Sequence, residues 1–405
     1  MKIAYLSSQY PCLSMTFVLR EVLHLRGLGW QVGVASINGV DRPPERLTED
    51  ERREAAATYY VKQHGVPGAL RAHLQAAFKH PAGYLAGWRQ ALRLGGFSPR
   101  GLLMHLAYFT EALMVTTWMA RGGYRHLHVH LGQQASTVGL YVKWVTGCGL
   151  SITIHGPIEF YNVEQHLLRQ KVADADFIVC ISHFARSQLM MLSPHAHWAK
   201  LLVCRLGVDP ARFAARPVPV RVSGAPFQIL CVGRLTPEKG QHLLLEAVAR
   251  LKGLGLAVHL RLVGAGADDA TLKALAARLD IVDAVAFLGG VNQDAIRAIY
   301  AQADCFCLPS FAEGIPVVLM EAMAMQIPCV TTHITGVPEL IEHGEHGLLV
   351  PPADLDALVQ ALRSLVEQPQ LCDRLARAGR ARVLADYDLP RNVSVFAKLL
   401  GERVA

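Results

Sequence analysis

Glu313 and Glu321 stand eight residues apart in PSFAEGIPVVLMEAMAM, and Arg234 and Lys239 stand five apart in VGRLTPEKG. Two cations at one edge of a site suit a diphosphate leaving group. Negative charge builds on it in the transition state, and fixed positive groups stabilise that charge without rearranging. With both cations in place a metal is redundant, and no metal is expected. A carboxylate beside a diphosphate is repelled by it unless it accepts hydrogen bonds from neutral hydroxyls. That chemistry suits Glu321 to a ribose and Glu313 to a transferred sugar. Spacing alone leaves open that both glutamates are exposed helix positions and both cations ordinary surface groups.

Such residues need strand ends and helix starts to hold them. The apolar run 305–308 reads as a strand, PSFAEGIP as the loop after it, and 317–325 as a helix. Ligands of open parallel sheets bind beyond the carboxyl ends of strands. There the backbone N–H groups of Ile315, Val317 and Val318, next to Gly314, would face an anion. Pro316 has no N–H to offer but suits a first helical turn. Arg234 follows Gly233 at the end of a strand over 228–232, and Lys239 opens a helix over 240–251, so both belong to the same sheet edge. Strands over 258–263, 285–288 and 329–332 alternate with helices over 269–279 and 293–301. Strands apolar on both faces indicate a parallel sheet covered by helices.

The amino-terminal half repeats the pattern. A strand over 2–7, a helix over 16–28 and a strand over 31–37 are followed by apolar runs at 126–131, 151–154, 177–181 and 201–204, with helical segments between them. Both halves read as doubly wound α/β sheets. The run 205–226 carries four prolines and little periodicity, as a linker would. The expected organisation is a domain over 1–208, a linker over 209–226 and a second domain over 227–389. An amphipathic helix over 390–405 completes the first domain.

A chain of 405 residues is too long for one ordinary core and suits two domains with a cleft between them. With 52% hydrophobic and 18% charged residues it is not a disordered chain. The start, MKIAYLSSQYP, lacks the apolar run and cleavage site of a signal peptide, so a cytoplasmic location is expected. Nine cysteines with no repeated Cys-x-x-Cys spacing read as reduced core thiols. Asp174 with Asp176, and Asp354 with Asp356, read as a helix end and a helix cap and not as metal ligands. No His/Cys cluster has zinc spacing.

The net charge of +7 is concentrated between Val61 and Arg125, where Lys62, Arg71, Lys79, Arg89, Arg93, Arg100, Arg121 and Arg125 face a single acid, Glu111. Cations interleaved with Leu, Phe, Trp and Tyr suit the inner surface of an anionic membrane or a phosphorylated lipid. The plainer alternative is a solvated helical face. The apolar stretch 101–120 has the approximate length of a membrane span, but His105 and Glu111 inside it argue for a buried or surface-seeking helix. No nucleic-acid-binding module accompanies the basic residues.

VGRLTPEKGQHLLLEAV, VGAGADDATLKALA and PSFAEGIPVVLMEAMAMQIPCVTTHITGVPELIEHGEHGLLVPPAD closely resemble the carboxy-terminal domain of the retaining glycosyltransferases of family 4. The resemblance covers nearly all of 227–385 and includes the family's pair of glutamates, Glu313 and Glu321, and its Arg234 and Lys239. It implies the GT-B fold, two Rossmann-like domains facing a cleft, with a nucleotide diphosphate sugar held mainly by the second and the last helix returning to the first. It also implies that the nucleotide base is held by backbone groups over 288–291, including Gly289. SITIHGPIEFY resembles the segment carrying the family's histidine, here His155, which with Gly156 contacts the transferred sugar across the cleft from Glu313. IVCISHFARSQLM and RLGVDPARF resemble the segments leading to the linker, with Ser182 near the cleft.

Two departures stand out. Where many members have a glycine-rich loop after the first strand, this chain has SSQYPCLSMTFVLREV. Ser14 and Thr16 are expected instead to cap the following helix and to offer hydroxyls and N–H groups to the phosphates. This opening resembles polysaccharide-building members of the colanic acid type. Ala265 also replaces an acid common between the glycines of VGAGADD. The resemblance implies metal-independent, retaining transfer of a hexose-type sugar to a saccharide acceptor, with a front-face route and no separate general base. The basic window suggests a lipid-linked acceptor. Alternatives from other classes are a sugar-nucleotide-modifying enzyme of the epimerase type and a non-catalytic nucleotide-binding subunit.

Overall fold

The computed structural model describes residues 1–216, 224–292 and 294–404. Residues 217–223 of the expected linker, and Gln293, expected to open a helix, lie outside the described residues. The chain divides into two compact units, one of Met1–Cys204 with Val393–Ala405 and one of Arg205–Asn392.

In the first unit, seven parallel strands run β1 (Lys2–Gln9), β2 (Gln31–Asn38), β3 (Tyr59–Tyr60), β4 (His126–His130), β5 (Gly149–Ile154), β6 (Phe177–Cys180) and β7 (Leu201–Val203). Their order is β3-β2-β1-β4-β5-β6-β7. In register, β1 sets Ala4 beside Leu127 of β4, and β4 sets Val129 beside Ile152 of β5. These buried aliphatics meet Phe109, Leu113 and Val115 of the helix Pro99–Gly122 in one core. That helix contains the 101–120 stretch, and its His105 is buried with Nδ1 3.0 Å from the Tyr141 hydroxyl. Among the described residues no helix is long and apolar enough to cross a membrane.

The second unit holds β8 (Phe227–Val232), β9 (Val258–Val263), β10 (Val285–Gly289), β11 (Cys305–Leu308), β12 (Cys329–Thr332) and β13 (Leu348–Val350), all parallel, in the order β10-β9-β8-β11-β12-β13. The order reverses between β8 and β11, as in a doubly wound sheet. Both sheets thus have the expected class. The short strands β3 and β13 were not expected, because two or three residues make no periodic signal.

Three local expectations are corrected. The helix Thr16–Gly27 has Met15 at its N-cap with no side-chain cap, because a 3₁₀ turn over Leu13–Met15 runs directly into it. Ser14 is therefore no cap; its exposed hydroxyl lies 3.2 Å from Cys12 Sγ, and Thr16 is the first helical residue. The helix expected over 293–301 is described only from Ile296 to Ala301. Lys239 ends a 3₁₀ turn, Pro237–Lys239, and the helix after it begins at Gln241. The nine cysteines are free thiols, all but Cys148 buried, and burial pushes Cys180, Cys204 and Cys231 up to about 12. Such thiols are inert. Asp354 caps the helix Leu355–Glu367 by accepting from the Ala357 N–H at 2.9 Å.

Candidate active site

In the second unit the carboxyl ends of β8 and β11 flank the point where strand order reverses, and the segments leaving them, loops and the helix Val317–Ala324, carry the four residues singled out by charge. After β8 come Gly233 and Arg234, then the Pro237–Lys239 turn and Gly240 at φ +67°. A Cβ on Gly240 would lie 2.1 Å from the Pro309 carbonyl oxygen, so only glycine lets this loop pass against the end of β11. That close approach delivers Lys239 Nζ to 2.6 Å from Glu313 Oε1. The Ser310 hydroxyl donates to the same Oε1 at 2.7 Å, and the Thr335 hydroxyl holds the Glu313 carbonyl.

Glu313 is 8% exposed and Glu321 6%, so neither is a solvated helix glutamate. Glu313 Oε2 has no partner among the described residues. An ionised carboxylate is acceptor-only, so that oxygen is free to take a ligand hydroxyl. Glu321, on the helix Val317–Ala324, accepts from the Tyr300 hydroxyl at 3.0 Å. Burial first, and then the charge of Glu321, holds the Tyr300 hydroxyl well above its ordinary pKa, so it remains a donor.

Arg234 stays half exposed and pairs with Glu238 at 3.1 Å, while Gln241 donates to the Arg234 carbonyl at 2.8 Å and steadies the loop. The structure therefore joins Lys239 to Glu313 directly and leaves Arg234 on the open side of the same loop. Among the described residues the N–H groups of Ile315, Val317 and Val318 have no carbonyl partner, as expected at the start of a helix whose cap, Pro316, lacks a side-chain acceptor. Gly314 lies half-buried between them and Glu313. Gly289 ends β10 at φ +69°, with its carbonyl accepting from the Gly264 N–H at 2.9 Å. It sits two strands away from β8, not beside Glu313.

In the first unit His155 follows β5 and is buried against Phe17, with ring centroids 4.6 Å apart. Its Nε2 lies 3.1 Å from His130 Nδ1, and His130 Nε2 lies 3.0 Å from Glu21 Oε1, which also accepts from the Tyr5 hydroxyl at 2.6 Å. As a carboxylate, Glu21 can only accept, which assigns the proton of His130 to Nε2. In the neutral tautomer of His130, Nδ1 accepts from His155 Nε2–H and leaves His155 Nδ1 as a lone pair. Burial, then His130, holds His155 well below its ordinary pKa, so the ring is neutral. In that arrangement His155 Nδ1 is a hydrogen-bond acceptor.

Glu159 holds the backbone beside it. Its carboxylate accepts from the N–H groups of Gly132, His155 (2.8 Å) and Gly156. Burial raises Glu159 above the usual carboxylate range, against the pull of those amides and of Lys171. Lys171 is fully buried, donates to the Gly132 and Gln133 carbonyls at 3.0 and 2.8 Å, and is pushed down to about 7 by burial. Gly156 sits at φ +53° with the Phe160 ring where a Cβ would go, 2.6 Å away. Ser182 is buried and caps the helix His183–Leu192, accepting from Ala185 N–H at 3.0 Å, so its hydroxyl is committed to the fold.

Glu21, His128 and His130 lie close enough to hold a cation. Every ring nitrogen in the group is already hydrogen-bonded, His128 through Ser151 at 2.8 Å and Thr153 at 3.1 Å. Glu21, His130, Glu159 and Ser310 are missed by motif spacing, since their partners lie in other segments or, as with Glu159 and Ser310, nearby in a loop whose path only the fold defines.

Residues 218–382 match the family of Glycosyl transferases group 1 and form a glycosyltransferase domain of that group. Over 409 residues, covering 96% of each chain, the protein is 28% identical to the putative colanic acid biosynthesis glycosyltransferase WcaL of Salmonella typhimurium. It is likewise 28% identical over the full length of both chains to the amylovoran biosynthesis glycosyltransferase AmsK of Erwinia amylovora. Among solved structures, Anabaena HepE in complex with UDP-glucose superposes with a TM-score of 0.75 at 20% identity, covering 99% of this chain and 100% of that one. The chain is a glycosyltransferase of the GT-B fold, resting on its group 1 domain and its two parallel sheets.

Proposed function

We propose that this glycosyltransferase moves a hexose-type sugar, with retention of configuration and without a metal, from a nucleotide diphosphate sugar to a saccharide acceptor. The acceptor is lipid-linked, and the product is a bacterial exopolysaccharide or cell-surface glycan. One observation carries the reading: Lys239 and Glu313 are paired at the β8/β11 reversal, with Glu313 Oε2 left open. Arg234 and Lys239 take up the charge of the departing diphosphate, helped by the N–H groups of Ile315, Val317 and Val318. Glu321 holds the ribose, backbone around Gly289 the base, and Glu313 and His155 the hydroxyls of the transferred sugar. As the sugar's bond to the leaving phosphate oxygen breaks, its anomeric carbon bonds to the acceptor oxygen on the same face, and the acceptor's proton passes to the leaving phosphate.

The names of WcaL and AmsK support polysaccharide assembly, and the UDP-glucose bound to HepE supports a nucleotide sugar donor. The test is transfer from a panel of nucleotide sugars in the presence of EDTA, with the anomeric configuration of the product read by NMR. Retained configuration at full rate is expected. An inverted product rejects the retaining route, and activity that EDTA abolishes and magnesium restores rejects metal independence.

A further inference from the structure

The helices Gly65–Lys79 and Pro81–Gly95 are patterned inside out. They turn small residues, Ala72, Ala76, Gly87, Ala91 and Gly95, into the core. A Cβ on Gly87 would meet the Phe109 ring at 2.3 Å, so at that position the inward face has no room for anything larger. Tyr84, Trp88 and Leu94 are half-buried against that core, but other large apolar residues point out. Val66, Leu70, Leu74 and Phe78 recur every fourth position along one face of the first helix and are 71, 61, 74 and 88% exposed. Leu85 and Leu92 on the second helix, Phe97 after it and Leu103 on the next helix are exposed as well. Single exposed apolar residues are ordinary; seven on three consecutive helices, with Phe97 between the last two, mark an interaction surface.

Charge selects the partner. From Lys62 to Thr110 the chain holds Lys62, Arg71, Lys79, Arg89, Arg93 and Arg100 and no Asp or Glu. Elsewhere the structure pairs Arg26 with Glu54 and Arg42 with Glu51. Here, among the described residues, Arg71, Lys79, Arg89, Arg93 and Arg100 are exposed and have no ion-pair partner. The same cations would repel a second copy of the face. At the amino end of the first helix a cavity of about 270 Å³ opens between Tyr59, His64, Pro67, Arg71, Thr117 and Arg121. Pro67 and Arg71 belong both to this cavity and to the exposed surface. Two guanidinium groups with no carboxylate partner, in a pocket of that size at the edge of an apolar face, suit a phosphodiester headgroup.

We propose that the outward face of the 65–79 and 81–95 helices docks on a bilayer containing anionic phospholipid, with one lipid headgroup phosphate held between Arg71 and Arg121. Apolar side chains enter the acyl boundary while the cations meet the headgroups. The inference does not depend on the transfer reaction, and its failure would leave that reading intact.

The test is flotation of the full chain with vesicles of phosphatidylglycerol and phosphatidylcholine in equal parts, and with phosphatidylcholine alone, at low and high salt. Binding to the anionic vesicles, weakened by salt, is expected. L74S with F78S, at exposed positions where no change in melting temperature is expected, is expected to weaken binding by about tenfold or more. R71A with R121A is expected to weaken it by about fivefold per cation. No flotation with anionic vesicles at low salt, flotation unchanged by L74S/F78S, or a self-association abolished by L74S/F78S would each overturn the proposal.

Discussion

Lys239 Nζ and Glu313 Oε1 lie 2.6 Å apart although 74 residues separate them in the chain, and both side chains are largely buried. Breaking such a pair from one side strands a charge, which costs about 3 kcal/mol or more, whereas replacing both partners costs far less. Lys239→Met alone is expected to lower the denaturation midpoint of the second unit clearly. Adding Glu313→Gln is expected to recover much of the loss. A double variant no more stable than the single one would show that the two charges are not coupled.

Glu21 acts on His155 through His130. In Glu21→Gln the amide can donate to His130 Nε2, which reverses the tautomer along the chain and turns His155 Nδ1 from acceptor into donor. The transfer rate is expected to fall by about ten- to a hundredfold with nucleotide affinity unchanged. Glu21→Asp should restore part of it. A wild-type rate in Glu21→Gln would remove His130 and Glu21 from the account.

Acid should destabilise the first unit. Burial lowers His126 to about 4 and holds His128 and His155 well below the ordinary imidazole range. Between about pH 6.5 and 4 the unfolded chain binds protons there that the folded chain does not, so stability is full above about pH 6.5 and falls as pH drops through that window. His126 alone accounts for on the order of 3 kcal/mol. Thermal melts should fall steeply between about pH 7 and about pH 5. In His126→Asn the fall should be shallower; an equal slope would contradict the assignment.

Tyr300→Phe removes the hydroxyl that donates to Glu321 while keeping the ring that packs on Phe306 at 5.8 Å between centroids. Losing one hydrogen bond to a carboxylate is worth about 1.5 kcal/mol, so nucleotide binding should weaken by about tenfold. Calorimetric titration with nucleoside diphosphates measures it, and unchanged affinity would detach Glu321 from the ribose.

The second sheet was legible because its short apolar-rich strands alternate with helices and Gly233, Gly264 and Pro309 follow β8, β9 and β11, which places Arg234 and Glu313 in loops at strand ends. The pairing of Lys239 with Glu313 was legible only as a shared edge, since its distance depends on Gly240 passing the Pro309 carbonyl. Ser14 misled because a serine two residues before a helix looks like a cap, and nothing local signals the 3₁₀ turn that intervenes. The Glu21–His130 contact spans 109 residues and joins a helix to a strand end, beyond the reach of any spacing rule. In the 61–125 region composition revealed cations and apolar residues together. Which of them faced outward was decided by Ala72, Ala76, Gly87 and Ala91, whose small size lets the helices pack closely and leaves Leu74 and Phe78 outside.

If Lys239 and Glu313 act on a nucleotide diphosphate sugar, release of nucleoside diphosphate depends on both. With a panel of nucleotide sugars and a saccharide acceptor, the wild-type chain should release nucleoside diphosphate from at least one donor. Lys239→Ala and Glu313→Gln should each slow that release by about a hundredfold or more. Release at the wild-type rate in either variant would contradict the account.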